Sequence, residues 1–565
     1  MFIFLKKKDL EKNFEDIRKI ENKHKLKIFQ NDTVYILYKD INLISLPNNK
    51  IVLYESLFSK THFSSVPLEI LKSVSSLDLF INAFYGSYIW IEYVNNSFKI
   101  YRDISGQTTI FYTLSNEIEI YFSDVFLRYQ LLKKRPEFNM AYFQKFVLEG
   151  NFLSESTPYN GVNEIAPGWQ IRYNQEKPIH EPIWLTRLFS SPFIEKKDLE
   201  EKLIASLVGV ISNQIKNLDN IVVDCSGGVD STGLVLLVNA IKNKDQNVVA
   251  AHYYYPKVQS SCELEYVQEI VDSLKMPLIK IEYSKNDLPF TPKDTSSKKI
   301  NYISTMLLHG RNEETIDKYI KPEQKTFISG HGGDHIFCCP PISLSLLDRT
   351  YLFHPLKTFQ FFKEFSIYNG APLLRIILFL LRNILRSRDK APPTSNLFTK
   401  FNSELCPSLN LNLRILPGKK DHIRLLHDAL ADIRYNVRNK SSILYPLLQE
   451  PIIELALKFR TFDLFQNGLD RFPYRKAIAD NFGCFQALKR QTKGETSGVI
   501  FEGLVSNKKT IEDYLFNGII SQSGSINKPR LQILFQDALN GVLRDNELNE
   551  IMNLWNVEEF YRSWN

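Results

Sequence analysis

Thiols are scarce. The chain has six cysteines in 565 residues: Cys225, Cys262, Cys338, Cys339, Cys406 and Cys484. None forms a C-x-x-C pair, which argues against a disulfide scaffold and fits reduced thiols in a cytoplasmic protein. Long apolar runs are missing too. The opening MFIFLKKKDLEKNF has too short an apolar run for a signal peptide. The most lipid-like stretch, LLRIILFLLRNIL at Leu373 to Leu385, contains Arg375 and Arg382 and falls short of the roughly 20 apolar residues a span needs. It reads as a buried or partner-facing helix, with a membrane-surface helix as the alternative; membrane association is left open and not indicated. Excess charge of one sign is also small, 70 Lys and Arg against 63 Asp and Glu, net +7. That is a mild lean toward anionic partners such as ATP. Basic residues occur only in short clusters such as Lys6 to Lys8, so no nucleic-acid partner is expected.

What is present is core material, 44% hydrophobic and 13% aromatic, in a chain long enough for two or three domains. The first third carries short β-branched and aromatic runs between Asn, Gly and Ser turns: TVYILYKDINLISL, KIVLY, YIWIEYV, FKIYRD, TTIFYTL and IEIYFSDV. The texture changes near Leu199. NIVVDC, NVVAAHYYY, PLIKIEY and TFISG read as strands; STGLVLLVNAIKNK and CELEYVQEIVDSLK, between them, read as helices. This alternation predicts a doubly wound parallel sheet. From about Ser345 the chain reads as mostly helical. The expected class is therefore α/β, divided at residues 1–198 and 199–565.

Two turns carry chemistry. Ser226-Gly227-Gly228-Val229-Asp230-Ser231 follows an apolar strand and opens a helix. Glycines let backbone N–H groups approach an anion, the two serines add hydroxyl donors, and the helix end adds positive potential. This is a phosphate cradle, and it lacks the G-K-[ST] ending of the ATPase P-loop. Asp230 would repel phosphate unless a cation lay between, which implies Mg²⁺. The second turn, Ser329-Gly330-His331-Gly332-Gly333-Asp334-His335, follows another apolar strand. Asp230 and Asp334 at the ends of two parallel strands could hold Mg²⁺ over a polyphosphate. Cys338 and Cys339 read as small packing residues. Glu263 and Glu265 could line a substrate side, with a solvated helix face as the default reading.

S-G-G-V-D-S followed by S-G-H-G-G-D resembles the pyrophosphate-loop synthetase domain of the asparagine synthetase family. YVQEIVDSLKMPLIKIEY, SSILYPLLQEPIIELALKF, LDRFPYRKAIADNF and KRQTKGETS extend the likeness, and YRDISGQTTIFY and IYFSDV look like its glutamine amidotransferase domain. The resemblance implies an N-terminal β-rich Ntn-hydrolase-like domain of the class II glutamine amidotransferase kind. After it would come a doubly wound, parallel-sheet PP-loop ATP pyrophosphatase domain with helical additions. The family's glutaminase uses a cysteine exposed after Met1 removal. Phe2 stands there in this chain and cannot act as a nucleophile, so the first domain is expected to be inactive and glutamine is not expected to be hydrolysed at that terminus.

The GHGGDHIF, RDISG and DRFPYR wording looks most like lasso peptide cyclases. That likeness implies a precursor core peptide as substrate, with an Asp or Glu side chain adenylated by ATP and Mg²⁺ and the peptide's N-terminal amine closing a macrolactam. A leader peptidase is the partner such a system would have. The alternative is a synthetase of the asparagine or β-lactam kind, acting on a small carboxylate with ammonia or an internal amine. By resemblance, ATP would lie on Cys225, Ser226, Gly227, Gly228, Asp230, Ser231, Tyr253, Ser329 and Gly330, with Asp230 and Asp334 as metal ligands. Lys493 would stabilise the adenylation transition state, with Lys489 as fallback. His331 is either the base for the attacking amine or an orienting, phosphate-contacting group.

Overall fold

Alternating side chains at the start of the chain build the first layer. In β1 (Phe2–Lys6), Phe2 and Phe4 face one apolar cluster, and Ile3 and Leu5 face another. This period of two is what a strand buried on both faces requires. The computed structural model describes the chain except residues 95–96, 115–118, 174–176, 193, 259–262, 293–299, 306–313, 319, 321–324, 352–354, 386–395, 400–405, 408, 410–412, 435–441, 492–493, 495–496, 543 and 565.

Strands β2 (Lys27–Gln30), β3 (Val34–Tyr38), β4 (Asn42–Leu46), β5 (Lys50–Ser59), β6 (Phe84–Val94), β7 (Ser97–Arg102), β8 (Phe111–Leu114), β9 (Glu119–Phe122), β10 (Asn163–Glu164), β11 (Gln170–Tyr173) and β12 (Ile179–Glu181) follow. They form two antiparallel sheets of six strands, in the orders β10-β8-β9-β1-β3-β2 and β12-β11-β7-β6-β5-β4. The sheets face each other across Phe2, Phe4 and Ile36 on one side and Ile51, Leu53, Ile89 and Ile91 on the other. β8 and β9 pair antiparallel, and residues 115–118 between them lie outside the described residues.

The second part opens with the helix Lys196–Ile215 and contains β13 (Asn220–Asp224), β14 (Asn247–Tyr254), β15 (Leu278–Glu282), β16 (Lys325–Ile328) and β17 (Ser442–Leu444). All five pair in parallel, in the order β15-β14-β13-β16-β17. The helices Val229–Ile241 and Leu264–Leu274 stand where the sequence put them. Ile221 and Val223 pack into one cluster and Val222 into another. The apolar runs of these strands reflect a sheet covered on both faces. From β13 the chain winds first to one side, and at β16 it starts out to the other, so the topological switch point lies between β13 and β16. Beyond Ser345 helices dominate; β17 is the strand there that the sequence reading did not foresee.

The two parts share a core. Val52, Trp90 and Tyr101, on the outer face of the second antiparallel sheet, join Leu203, Leu207 and Val210 of the helix Lys196–Ile215. Glu450 is buried at this junction. It accepts hydrogen bonds from Lys60 Nζ at 2.6 Å and Trp184 Nε1 at 2.7 Å. Among the described residues no single helix is long and apolar enough to cross a membrane.

Candidate active site

In doubly wound sheets a ligand crevice opens at the carboxyl ends of the strands flanking the switch point. β13 and β16 are those strands, and the two glycine-rich turns leave their ends side by side. In the first turn Ser226 N donates to Ser231 Oγ at 3.2 Å, and Gly228 N donates to Ser226 Oγ at 3.2 Å. Ser231 Oγ donates to Gly228 O at 3.1 Å. Gly227 has φ +86°, and a Cβ there would come within 2.8 Å of Glu263 Cβ. The second turn packs on the first so closely that a Cβ on Gly333 would collide with the Asp230 carboxylate. Glycine at 333 is thus what brings the second turn up to Asp230.

A cavity of about 440 Å³ opens over the two turns. Cys225, Ser226, Gly228, Asp230, Ser231, Tyr253, Ser329, Gly330, His331 and Asp334 line it. Of the anticipated site residues, Gly227 is outside that lining but lies within the first turn. Lys489 is exposed and does not line the cavity. Lys493 lies outside the described residues, but its neighbour Gly494 lines the cavity and donates its N–H to Glu263 Oε1 at 2.6 Å. Glu263 also pairs with Arg490. The solvated reading therefore fails for Glu263, which is buried and holds both Arg490 and Gly494 beside the site, and it holds for the exposed Glu265. Cys338 is buried and packs in the core.

Three groups converge here that the sequence reading did not single out. Arg471, buried at the head of the helix Phe472–Phe482, directs Nη1 to Asp230 Oδ2 at 3.0 Å and also to Asp334. Its Nε holds Asp470 at 2.8 Å, and Asp470 is held in turn by Arg475. Burial opposes the charged form of Arg471, but Asp230, Asp334 and Asp470 outweigh it and raise its pKa. The second group is Asp432, near the end of the helix Pro417–Ile433. Its Oδ1 accepts from Asn151 and from Thr305 Oγ1, the latter at 3.1 Å, and its Oδ2 lies 3.6 Å from His331 Nε2. Burial raises the Asp432 pKa, against the pull of His335, Thr305, Arg434 and Asn151. The third is Tyr445, whose ring stands edge-on to His331 at 6.1 Å. Asn151 belongs to the first part of the chain, so that part reaches the site through a hydrogen bond.

Two carboxylates that share one guanidinium nitrogen are near enough to share one small cation. Among the described residues no group of three or more His, Cys, Asp or Glu could hold a metal alone. Mg²⁺ commonly takes one or two carboxylates and fills its remaining positions with water and phosphate oxygens, so Asp230 and Asp334 fit it if a polyphosphate completes the set.

No protein-family model matches the chain. It is similar to the microcin J25-processing protein McjC of Escherichia coli, 24% identical over 492 residues, which cover 84% of this chain and 85% of that protein. With both glycine-rich turns at the switch point and this likeness running through both parts, the chain resembles the asparagine synthetase family, and within it the lasso peptide cyclases, over most of its length.

Proposed function

We propose that this chain is an ATP-dependent amide-bond synthetase, cytoplasmic, that closes a macrolactam ring in a precursor peptide. In the first step a side-chain carboxylate of Asp or Glu attacks the α-phosphorus of ATP, giving an acyl-adenylate and pyrophosphate. In the second the peptide's N-terminal amine attacks the acyl carbon, AMP leaves, and the amine's surplus proton goes to a base. The observation that carries this reading is the meeting of Asp230 and Asp334 in one cavity, each on a glycine-rich turn at the end of a parallel strand. The likeness to a microcin-processing protein supports a peptide as substrate. The division at residues 1–198 and 199–565 belongs to the same proposal, with the first domain retained as an inactive scaffold.

The residues divide the work. Ser226, Gly227, Gly228 and Ser231 present donors to the pyrophosphate. Arg471 neutralises Asp230 and Asp334 and so lets a polyanion approach two carboxylates. Mg²⁺ bound to those carboxylates and the phosphates would offset the charge that builds on the leaving pyrophosphate. Adenine would lie against Cys225 and Tyr253, whose ring stacks with Tyr283 at 5.8 Å, opposite Ser329 and Gly330. Lys493 would face the α-phosphate; its neighbour Gly494 is held by Glu263, which also pairs with Arg490. His331 takes the proton from the attacking amine, and the Asp432 carboxylate 3.6 Å from Nε2 stabilises the charged form of the ring.

Separating the two half-reactions tests these roles. An N-acetylated core peptide keeps its carboxylate and lacks the amine, so it should support ATP–pyrophosphate exchange and yield no ring. His331→Ala and Asp432→Asn should reproduce that split with the free peptide: exchange retained, closure slowed on the order of 10²-fold or more. If exchange and closure fall together in both variants, the pair serves the phosphate site and is not the base.

A further inference from the structure

The helices Pro355–Tyr368 and Leu373–Leu385 form a packed pair bent by 109°. Each buries one stripe, Phe361 and Phe365 from the first and Ile376 and Leu380 from the second, in a small cluster with Phe462 and Phe465. The opposite stripes are apolar as well. On the second helix Leu374, Ile377, Leu378 and Leu381 recur at one-turn spacing and are exposed, Leu374 by 68%. On the first, Leu356, Phe359 and Ile367 are exposed by 78%, 61% and 70%. A helix of a soluble monomer normally turns a polar stripe outward, and two adjacent helices that both turn apolar stripes outward mark an interaction surface.

The charge around this face indicates what covers it. The described side chains of the pair carry four cations, Lys357, Lys363, Arg375 and Arg382, against one carboxylate, Glu364. Arg375 and Arg382, seven residues apart, run as a basic stripe directly beside the Leu374–Leu381 stripe, and both are exposed. The exposed stripes are Leu, Ile and Phe. Aliphatic side chains flanked by Lys and Arg are the composition of a helix lying in an anionic lipid interface, with apolar side chains among the acyl chains and the cations at the headgroups.

The geometry points to this helix pair as a docking surface for an anionic membrane, holding the enzyme on the bilayer without crossing it. The exposed stripes line no part of the cavity; the pair touches the site's surroundings through Tyr368, whose hydroxyl donates to Asp470 Oδ2 at 2.8 Å.

Sedimentation of the full chain with vesicles tests it. The protein should pellet with vesicles of phosphatidylglycerol and phosphatidylcholine in equal parts, much less with phosphatidylcholine alone, and less as salt is raised. The double variant Ile377→Glu/Leu381→Glu should lower the vesicle partition coefficient by about tenfold or more, and Arg375→Glu/Arg382→Glu by a similar factor. Circular dichroism and thermal midpoint should be unchanged in both, since all four side chains are solvent-facing. Failure of the wild type to pellet with anionic vesicles would overturn the proposal, as would equal partition by the double variants. So would sedimentation velocity showing a self-associated wild type, made monomeric by Ile377→Glu/Leu381→Glu, without vesicle binding; the face would then pair two copies of this chain.

Discussion

Asp230→Ala should remove ATP-dependent pyrophosphate release almost entirely, by about 100-fold or more, because a few kcal/mol of charge stabilisation at a phosphoryl centre translate into rate factors of that size. Asp230 shares Arg471 Nη1 with Asp334 and is buried at the head of the helix Val229–Ile241. Its loss takes one of two carboxylates from the cation site and leaves Arg471 paired with Asp334 and Asp470 alone. The fold should survive, since the side chain stands at a strand end and Arg471 keeps two partners. Circular dichroism would monitor the fold and coupled pyrophosphate detection the chemistry. Turnover within about threefold of wild type would contradict a role for Asp230 at the reacting phosphates.

Glu164→Ala should cost about 3–5 kcal/mol of stability, the usual price of stranding a buried partner charge. Glu164 is fully buried between two guanidiniums, accepting from Arg102 Nη1 at 2.6 Å and from Arg434 Nη1 at 2.6 Å. Removing it leaves both cations facing each other in the interior. Arg434 also donates to Phe152 O at 2.7 Å and lies two residues after Asp432. The triad thus joins the RDISG segment of the first part to the helix end that carries the His331 partner. Urea unfolding should show an earlier midpoint, and Glu164→Gln, which keeps the volume and one acceptor oxygen, should recover part of the loss. Breaking the exposed Lys197–Glu201 pair should change little by comparison. A Glu164→Ala midpoint equal to wild type would show that the triad is not holding the two parts together.

The elements legible in the sequence are those whose signals are local. β13, its turn and the helix after it form one run, from NIVVD to NAI, in which strand, phosphate-binding glycines and helix follow one another. The second turn is legible for the same reason. β1 is harder to read: MFIFL is a short unbroken apolar run with no polar–apolar alternation to mark a strand, and it lies inside a sheet between β3 and β9, buried on both faces. β17 is only three residues long and is defined by pairing to β16, more than a hundred residues earlier, so no periodicity could reveal it. The groups that complete the site were invisible for a related reason. Arg471 reaches Asp230 across 241 positions, and Asn151 reaches Asp432 across 281. Arg471 was in view only as part of the DRFPYR likeness. A buried arginine beside an aspartate at a helix start, with φ +50°, marks it in the structure, but the sequence alone gives no partner for it. For Glu263 the default of a solvated helix face fails and the alternative, lining the site, holds, because a glutamate at the start of an amphipathic helix gives no local sign of burial. Its burial goes with long-range contacts to Arg490 and Gly494.

The central claim is that one cavity activates a peptide carboxylate and passes it to the amine of the same peptide. Mass spectrometry tests it most directly. The full chain would be incubated with ATP, Mg²⁺ and a synthetic peptide that starts with a free glycine amine and carries an Asp or Glu a few residues further in. The account predicts a product lighter by one water, formed together with one AMP and one pyrophosphate per ring. Replacing the Asp or Glu by Asn or Gln should abolish both the ring and the pyrophosphate. Formation of asparagine from aspartate and ammonia faster than any peptide cyclisation would contradict it, as would release of ADP and phosphate in place of AMP and pyrophosphate.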